Sequence, residues 1–172
     1  VPPHKERYAD ACAYLAREIS KSDVAVRLNT EATADLVLAE KPDAVILATG
    51  SLPLQPSIPG LDAAGIINAD EIQEGSRQAG DHVAVIGGGS VGAETAHYLA
   101  DQRKRVLHLI EMRDGIGIDL PKDARICLLR AFDTTPDLHI HTGARVTEVG
   151  DTFIRFEQGE QEECIDGLDS IV

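Results

Sequence analysis

Cysteine is scarce and poorly placed for cross-linking. Cys12, Cys127 and Cys164 are odd in number and far apart, and none sits in a Cys-x-x-Cys pair. Neither a disulfide framework nor a zinc knuckle organises such a chain, and a reducing cytoplasm is its expected home. Positive charge is scarce too. Lys and Arg number 16 against 29 Asp and Glu, a net charge of −13, which argues against nucleic acid or an anionic membrane as partner. No apolar run reaches the roughly 20 residues that span a bilayer, and no signal-peptide pattern opens the sequence. Solenoid repeats and low-complexity tracts are also missing. What is present is ordinary for a globular protein: 172 residues, 43% hydrophobic and 26% charged. That length buries a real core as one large domain or two small ones.

Strand-like and helix-like segments alternate along the chain. ERYADACAYLAREIS spaces Tyr8, Cys12, Leu15 and Ile19 as one face of a helix. VAVRL (24–28) is a short β-rich run, and TADLVLAEK predicts a brief helix. KPDAVILATGS is a nearly all-apolar run ending near Gly50, the pattern of a strand covered on both faces in a parallel sheet. SLPLQPSIPGLD then crowds Pro53, Pro56, Pro59 and Gly60 together, which predicts a stiff connector and a domain boundary. The second half starts afresh. HVAVIG predicts a strand, 91–102 a helix, and RVLHLIE (105–111) a second strand. A further helix is expected to start near Pro121 with Asp119 as its cap. LHIH is a third parallel strand candidate. ARVTEV, TFIRFEQ and EECI predict an antiparallel three-stranded meander, and DSIV one more parallel strand. The expected fold is α/β: a Rossmann-like doubly wound parallel sheet with a meander.

Three consecutive glycines follow the strand HVAVI. Gly87-x-Gly89-x-x-Gly92 fits Gly-x-Gly-x-x-Gly between a strand and a helix, where each glycine has a physical task. Gly87 allows the tight turn, Gly89 lets a diphosphate approach the main chain, and Gly92 lets the helix lie close to the sheet. Ala93, Ala96 and Ala100 extend that low-bulk contact. Around Gly87, Gly88, Gly89, Ser90, Val91 and Gly92, the free N–H groups and positive dipole end of the helix face the phosphates. The next strand ends in Glu111, 19 residues beyond the last glycine, where such a fold places an acid on the adenosine ribose hydroxyls. A 2′-phosphate beside Glu111 would be repelled by up to about 4 kcal/mol at 4 Å and an intermediate dielectric. Glu111, Met112, Arg113 and Asp114 sum to −1, so NAD(H) is favoured over NADP(H), with Arg113 read as a solvated loop residue.

KPDAVILATGSLPLQPSIPG followed by VAVIGGGSVGAETAHYLA resembles the C-terminal half of the 2,4-dienoyl-CoA reductase, NADH oxidase and trimethylamine dehydrogenase group. Their N-terminal halves resemble old yellow enzyme. The resemblance runs from about Tyr8 to Val172. It implies a parent flavoprotein with an FMN-bearing barrel and an iron–sulfur cluster. An FAD- or ADP-binding domain follows, with an NAD(P)H-binding domain inserted into it, an architecture shared with glutathione-reductase-like proteins. By the same resemblance, Ala48, Thr49 and Gly50 match the motif that ends a flavin-domain strand near the domain crossover. Glu94 matches an acid close to the nicotinamide end of the cofactor. The barrel, the cluster cysteines, the first Gly-x-Gly-x-x-Gly loop and the redox Cys-x-x-Cys of thioredoxin-reductase-like relatives are not in this sequence. Residues 1–63 are therefore expected to be a truncated flavin-domain segment and 64–172 an NAD(P)H domain.

The implied function is to bind the dinucleotide and present it to a flavin in the remainder of the parent, with hydride passing between nicotinamide C4 and flavin N5. No side chain is expected to act as acid, base or nucleophile. The chain alone would turn nothing over, and its exposed flavin-domain remnant would favour self-association. Two alternatives stay open: a non-catalytic adenine-nucleotide module, as where the trimethylamine dehydrogenase branch holds ADP, and a structural domain with an empty loop. His139 and His141 share a strand face, but no third ligand is close, so no metal is expected. His82, His97 and His108 read as edge or surface residues, and Cys127 as a small core residue.

Overall fold

The computed structural model describes residues 7–62, 65–102 and 105–172. They divide into two units, Arg7–Leu54 and Gln55–Val172. The boundary expected between residues 63 and 64 falls outside the described residues.

In the Arg7–Leu54 unit, α1 (Arg7–Ser20) forms where the helical spacing predicts it, yet none of its residues is buried. α2 (Ala34–Ala39) starts at Thr33, whose hydroxyl oxygen accepts from Leu36 N–H at 3.3 Å. That bond satisfies one of the donors a helix start leaves free. Neither VAVRL nor KPDAVILATGS is a strand. Ile46 is 90% exposed and Leu47 84% exposed. An apolar run becomes a central strand only when neighbours pair its backbone and cover its faces, and among the described residues nothing pairs with it.

The Gln55–Val172 unit has three layers. α3 (Ala69–Glu74) leads in, its first turn fixed by Glu71 Oε2 accepting from Asn68 N–H at 2.9 Å. The middle layer is a parallel sheet of β1 (His82–Ile86), β2 (Val106–Glu111), β3 (Leu138–Thr142) and β7 (Ser170–Ile171) in the order β3-β2-β1-β7. Val83, Val85, Leu107 and Leu109 face α4 (Ser90–Gln102), α5 (Lys122–Asp133) and α3, meeting Ala93, Ala96, Leu99, Leu128, Phe132 and Ile72. Ala84, Ile110 and Ile171 face the other way, onto the antiparallel sheet of β4 (Ala144–Val149), β5 (Ile154–Gln158) and β6 (Gln161–Ile165). There they meet Val149, Ile154 and Phe156. Burial on both faces explains why β1 and β2 are nearly all apolar. Leu99, Leu109, Ile154 and Phe156 are fully buried, each worth about 1.5–3 kcal/mol of transfer free energy.

The end of the Pro-rich connector belongs to this unit, because Val149 N–H donates to the Pro59 carbonyl at 2.9 Å. From β1 the chain crosses through α4 to β2 on one side, while β7 lies on the other. The C-terminal end of β1 is thus a switch point, where open α/β sheets leave a crevice for ligands. No described helix is long and apolar enough to cross a membrane.

Candidate functional site

β1 runs straight into α4 through the three glycines. Gly87 has φ +97°, a backbone region that residues with a side chain rarely adopt, and its N–H donates to the Ile110 carbonyl at 2.8 Å. A Cβ on Gly92 would overlap the Gly87 carbonyl oxygen, so the first turn of α4 rests directly on the turn that precedes it. A Cβ on Gly88 would lie 2.5 Å from Ile116 Cδ1 and 2.8 Å from Glu111 Cβ. Gly89 differs. Its missing side chain would meet only an Asp119 carboxylate oxygen at 3.3 Å and the Arg113 guanidinium at 3.6 Å, both at the ends of exposed side chains.

Glu111 closes β2 with its carboxylate turned onto this loop. Oε2 accepts from Gly88 N–H at 2.6 Å, and Oε1 accepts from Arg113 N–H at 2.7 Å and Arg113 Nε–H at 3.1 Å. The residue is 5% exposed. Burial alone raises a carboxyl pKa. Here the backbone donors Arg113 and Gly88, joined by the Arg113 guanidinium, outweigh it and hold the pKa below the ordinary value. Glu111 is therefore an ionised, buried acceptor at neutral pH.

The loop between β2 and α5 folds back over the glycines. Gly117 N–H donates to the Gly88 carbonyl at 2.7 Å, and Asp119 Oδ2 accepts from Ser90 N–H at 3.1 Å. Asp119 thus stands on the first turn of α4 rather than capping α5, whose N-cap is Pro121 with no side-chain cap bond. The bond from Ser90 N–H holds the Asp119 carboxyl below its ordinary pKa, with burial opposing. A carboxylate at the positive end of a helix is favourable for the same reason a phosphate is.

Residues 15–167 match the pyridine nucleotide-disulphide oxidoreductase family. The chain belongs to that family. It is 35% identical over 166 residues to a bilirubin reductase of Mediterraneibacter gnavus, covering 93% of this chain and 25% of that protein. It is 39% identical over 140 residues to an NADH oxidase of Thermoanaerobacter brockii, covering 79% of this chain and 21% of that one. A solved 2-naphthoyl-CoA reductase superposes with a TM-score of 0.83 at 30% identity, over 99% of this chain and 26% of its own. The chain therefore spans about a quarter of the length of these relatives. The resemblance to the NADH oxidase group stands, as does the α/β fold.

Gly87, Gly88, Gly89, Ser90, Gly92, Glu111 and Arg113 meet in one place. Arg113 is not simply a solvated residue, because it is paired with Glu111 at 3.1 Å. Val91 and Met112 are exposed at 55% and 59%, and Glu94 is half-buried in the first turns of α4. Ala48, Thr49 and Gly50 lie in the other unit, all exposed, with Gly50 at φ +78°. Cys127 is exposed on α5, so the core place expected for it is wrong; Leu128 takes the inward position instead.

Sequence spacing gave Asp119 the wrong helix, and it missed a chain of histidines. His82, His108, His139 and His141 share the meander-facing side of the parallel sheet. His82 Nδ1 lies 2.9 Å from the Gly167 carbonyl, which can only accept. With neutral rings, His82 Nε2 is then bare and accepts from His108 Nε2–H at 3.2 Å. His108 Nδ1 in turn accepts from His141 Nε2–H at 3.2 Å. His139 stacks on His108 with ring centroids 4.9 Å apart. Burial first, then the charges of His139, His141 and His82, push His108 down to about 4. The signal was available in principle: with the strands in parallel register, these positions line one face. No group of three or more His, Cys, Asp or Glu side chains among the described residues can hold a metal.

Proposed function

We propose that Gln55–Val172 is the pyridine-dinucleotide-binding part of an NAD(P)H:flavin oxidoreductase. The observation that carries this reading is the ionised Glu111 at the end of β2, bonded to the glycine turn at 2.6 Å, with only movable side chains over Gly89. A diphosphate would lie across Gly89 and the N–H groups opening α4. Glu111 would exchange its loop donors for ribose hydroxyls, and Arg113 and Met112 would border the adenosine. Glu94 would face the nicotinamide end. Glu111 disfavours a 2′-phosphate, which favours NAD(H), although Arg113 beside it softens that preference.

When bound, the nicotinamide would supply a hydride to a flavin held by the rest of the parent. The chain's own part would be to orient the cofactor and stabilise its charge. Residues 1–63 would belong to the FAD- or ADP-binding domain, with Ala48, Thr49 and Gly50 near the crossover. The exposed run around Ile46 and Leu47 would be covered by that domain or, in the fragment, by a second copy. FMN and an iron–sulfur cluster would sit elsewhere in the parent, and the chain alone would be inactive.

The Asp119 carboxylate on Ser90 favours a second reading, in which the loop holds no mobile dinucleotide. Titrating the chain with NADH, NADPH and ADP separates the two. NADH binding tighter than ADP, with a change in nicotinamide fluorescence, supports the first reading. ADP binding equally well defeats it, as does a lack of NADH binding both by the chain and by its Asp119→Asn variant.

A further inference from the structure

Ser90 N–H stands one residue beyond Gly89, at the helix start that a diphosphate uses in this motif. In this structure it donates to Asp119 Oδ2 at 3.1 Å. The same carboxylate has an oxygen 3.3 Å from where a Cβ of Gly89 would lie, and the Arg113 guanidinium is 3.6 Å from that point. A single acid therefore fills the space that the second glycine keeps clear, uses the donor there, and carries the same sign of charge as a phosphate. Asp119 is exposed, whereas Gly117, which ties the loop to the Gly88 carbonyl at 2.7 Å, is buried. Asp119 can leave without unpacking the loop that carries it.

We propose that Asp119 is an internal substitute for the cofactor diphosphate and sets the affinity of the site, because a dinucleotide binds only by displacing its carboxylate. The proposal rests on the dinucleotide reading given above. Displacement has two costs. The charge-assisted bond from Ser90 is given up, and the expelled carboxylate then stands near the phosphates in repulsion. Adenosine or nicotinamide riboside, which carry no phosphate, meet neither cost. Asp119 thus discriminates by phosphate charge, a role distinct from that of Glu111 at the ribose.

Asp119→Asn keeps an oxygen that can accept from Ser90 while removing the charge. NADH affinity is measured for the full chain and for this variant, with the Ser90 amide followed by NMR. The expected result is binding about tenfold tighter in the variant, with the Ser90 resonance moving as NADH is added. Equal or weaker binding by the variant, where the wild type binds NADH, overturns the proposal. Binding by the variant alone supports it. If neither chain binds NADH, the dinucleotide reading fails, and inorganic pyrophosphate then decides the role of Asp119. Tighter pyrophosphate binding at Ser90 in the variant supports it, and identical behaviour of the two chains refutes it.

Discussion

Gly89 and Gly92 are three residues apart on one short loop, and alanine at each should fail in a different way. At Gly92 the added methyl has nowhere to go. Besides overlapping the Gly87 carbonyl oxygen, it would lie 3.0 Å from that carbonyl's carbon and 3.5 Å from Val85 Cγ1. Relief requires α4 to lift off the sheet by about 1 Å, since backbone atoms rather than a flexible side chain stand in the way. Ala93, Ala96 and Leu99 on that helix are all 0% exposed, so lifting it opens the core. Overpacking of this kind costs about 1–3 kcal/mol, or roughly 5–15 °C in melting temperature for a domain of this size. The N–H groups that open α4 move with the helix, so NADH binding should weaken as well.

At Gly89 the methyl meets the Asp119 carboxylate at 3.3 Å and the Arg113 guanidinium at 3.6 Å. The carboxylate needs to give by only a few tenths of an ångström and the guanidinium not at all, so the bond from Ser90 survives and Gly89→Ala should change stability by less than about 0.5 kcal/mol. The methyl nevertheless occupies the ground a diphosphate would use. Losing one charge-assisted bond to it costs about 1.5–3 kcal/mol, a fall in NADH affinity of roughly 10- to 100-fold. Thermal melts and NADH titrations of both variants give the test. Gly92→Ala melting with the wild type would refute the packing account. Gly89→Ala binding NADH like the wild type would refute the assignment of the cofactor to this loop.

Two further outcomes follow from buried polar groups. Glu111→Gln replaces one oxygen by an NH₂ group where backbone donors Gly88 and Arg113 both point inward; a buried donor then faces a donor, and the melting temperature should fall by an amount corresponding to about 1–3 kcal/mol, whereas an unchanged melt would show that the carboxylate is not needed there. His108, at about 4 in the fold against 6.5 unperturbed, binds fewer protons folded than unfolded between those values, so its contribution is complete above pH 6.5 and is lost as pH falls toward 4. The full shift corresponds to about 3 kcal/mol, reduced to about 1–2 because the ring is partly solvated. Urea titrations at pH 7.5 and 5.0 should show the larger part of that loss, since pH 5.0 lies between the two pKa values. His141, also lowered by burial despite the nearby Glu163 charge, should add to it. Equal sensitivity to pH in His108→Gln would place the effect elsewhere.

What could be read from the residues alone divides along a physical line. HVAVIGGGSVGAETAHYLA announces its strand, turn and helix because each signal is local: an apolar run, glycines at the turn, then helical spacing. The meander was equally legible, since alternation and the Gly159 turn suffice for a hairpin. KPDAVILATGS carries the same kind of apolar signal and forms no strand, because strand formation is a property of the neighbours, and none is present among the described residues to pair with Ile46 or Leu47. Asp119 failed for a related reason. Two residues before Pro121, it looked like a cap for the helix that follows. The choice between that helix and α4 is made by the Gly117–Gly88 backbone bond, which joins segments about 30 residues apart. The histidine chain needs register across three strands before its members can be seen together. Short-range chemistry therefore located the glycine loop and its terminal acid. The side chain that stands on that loop, Asp119, is visible only after the sheet has closed.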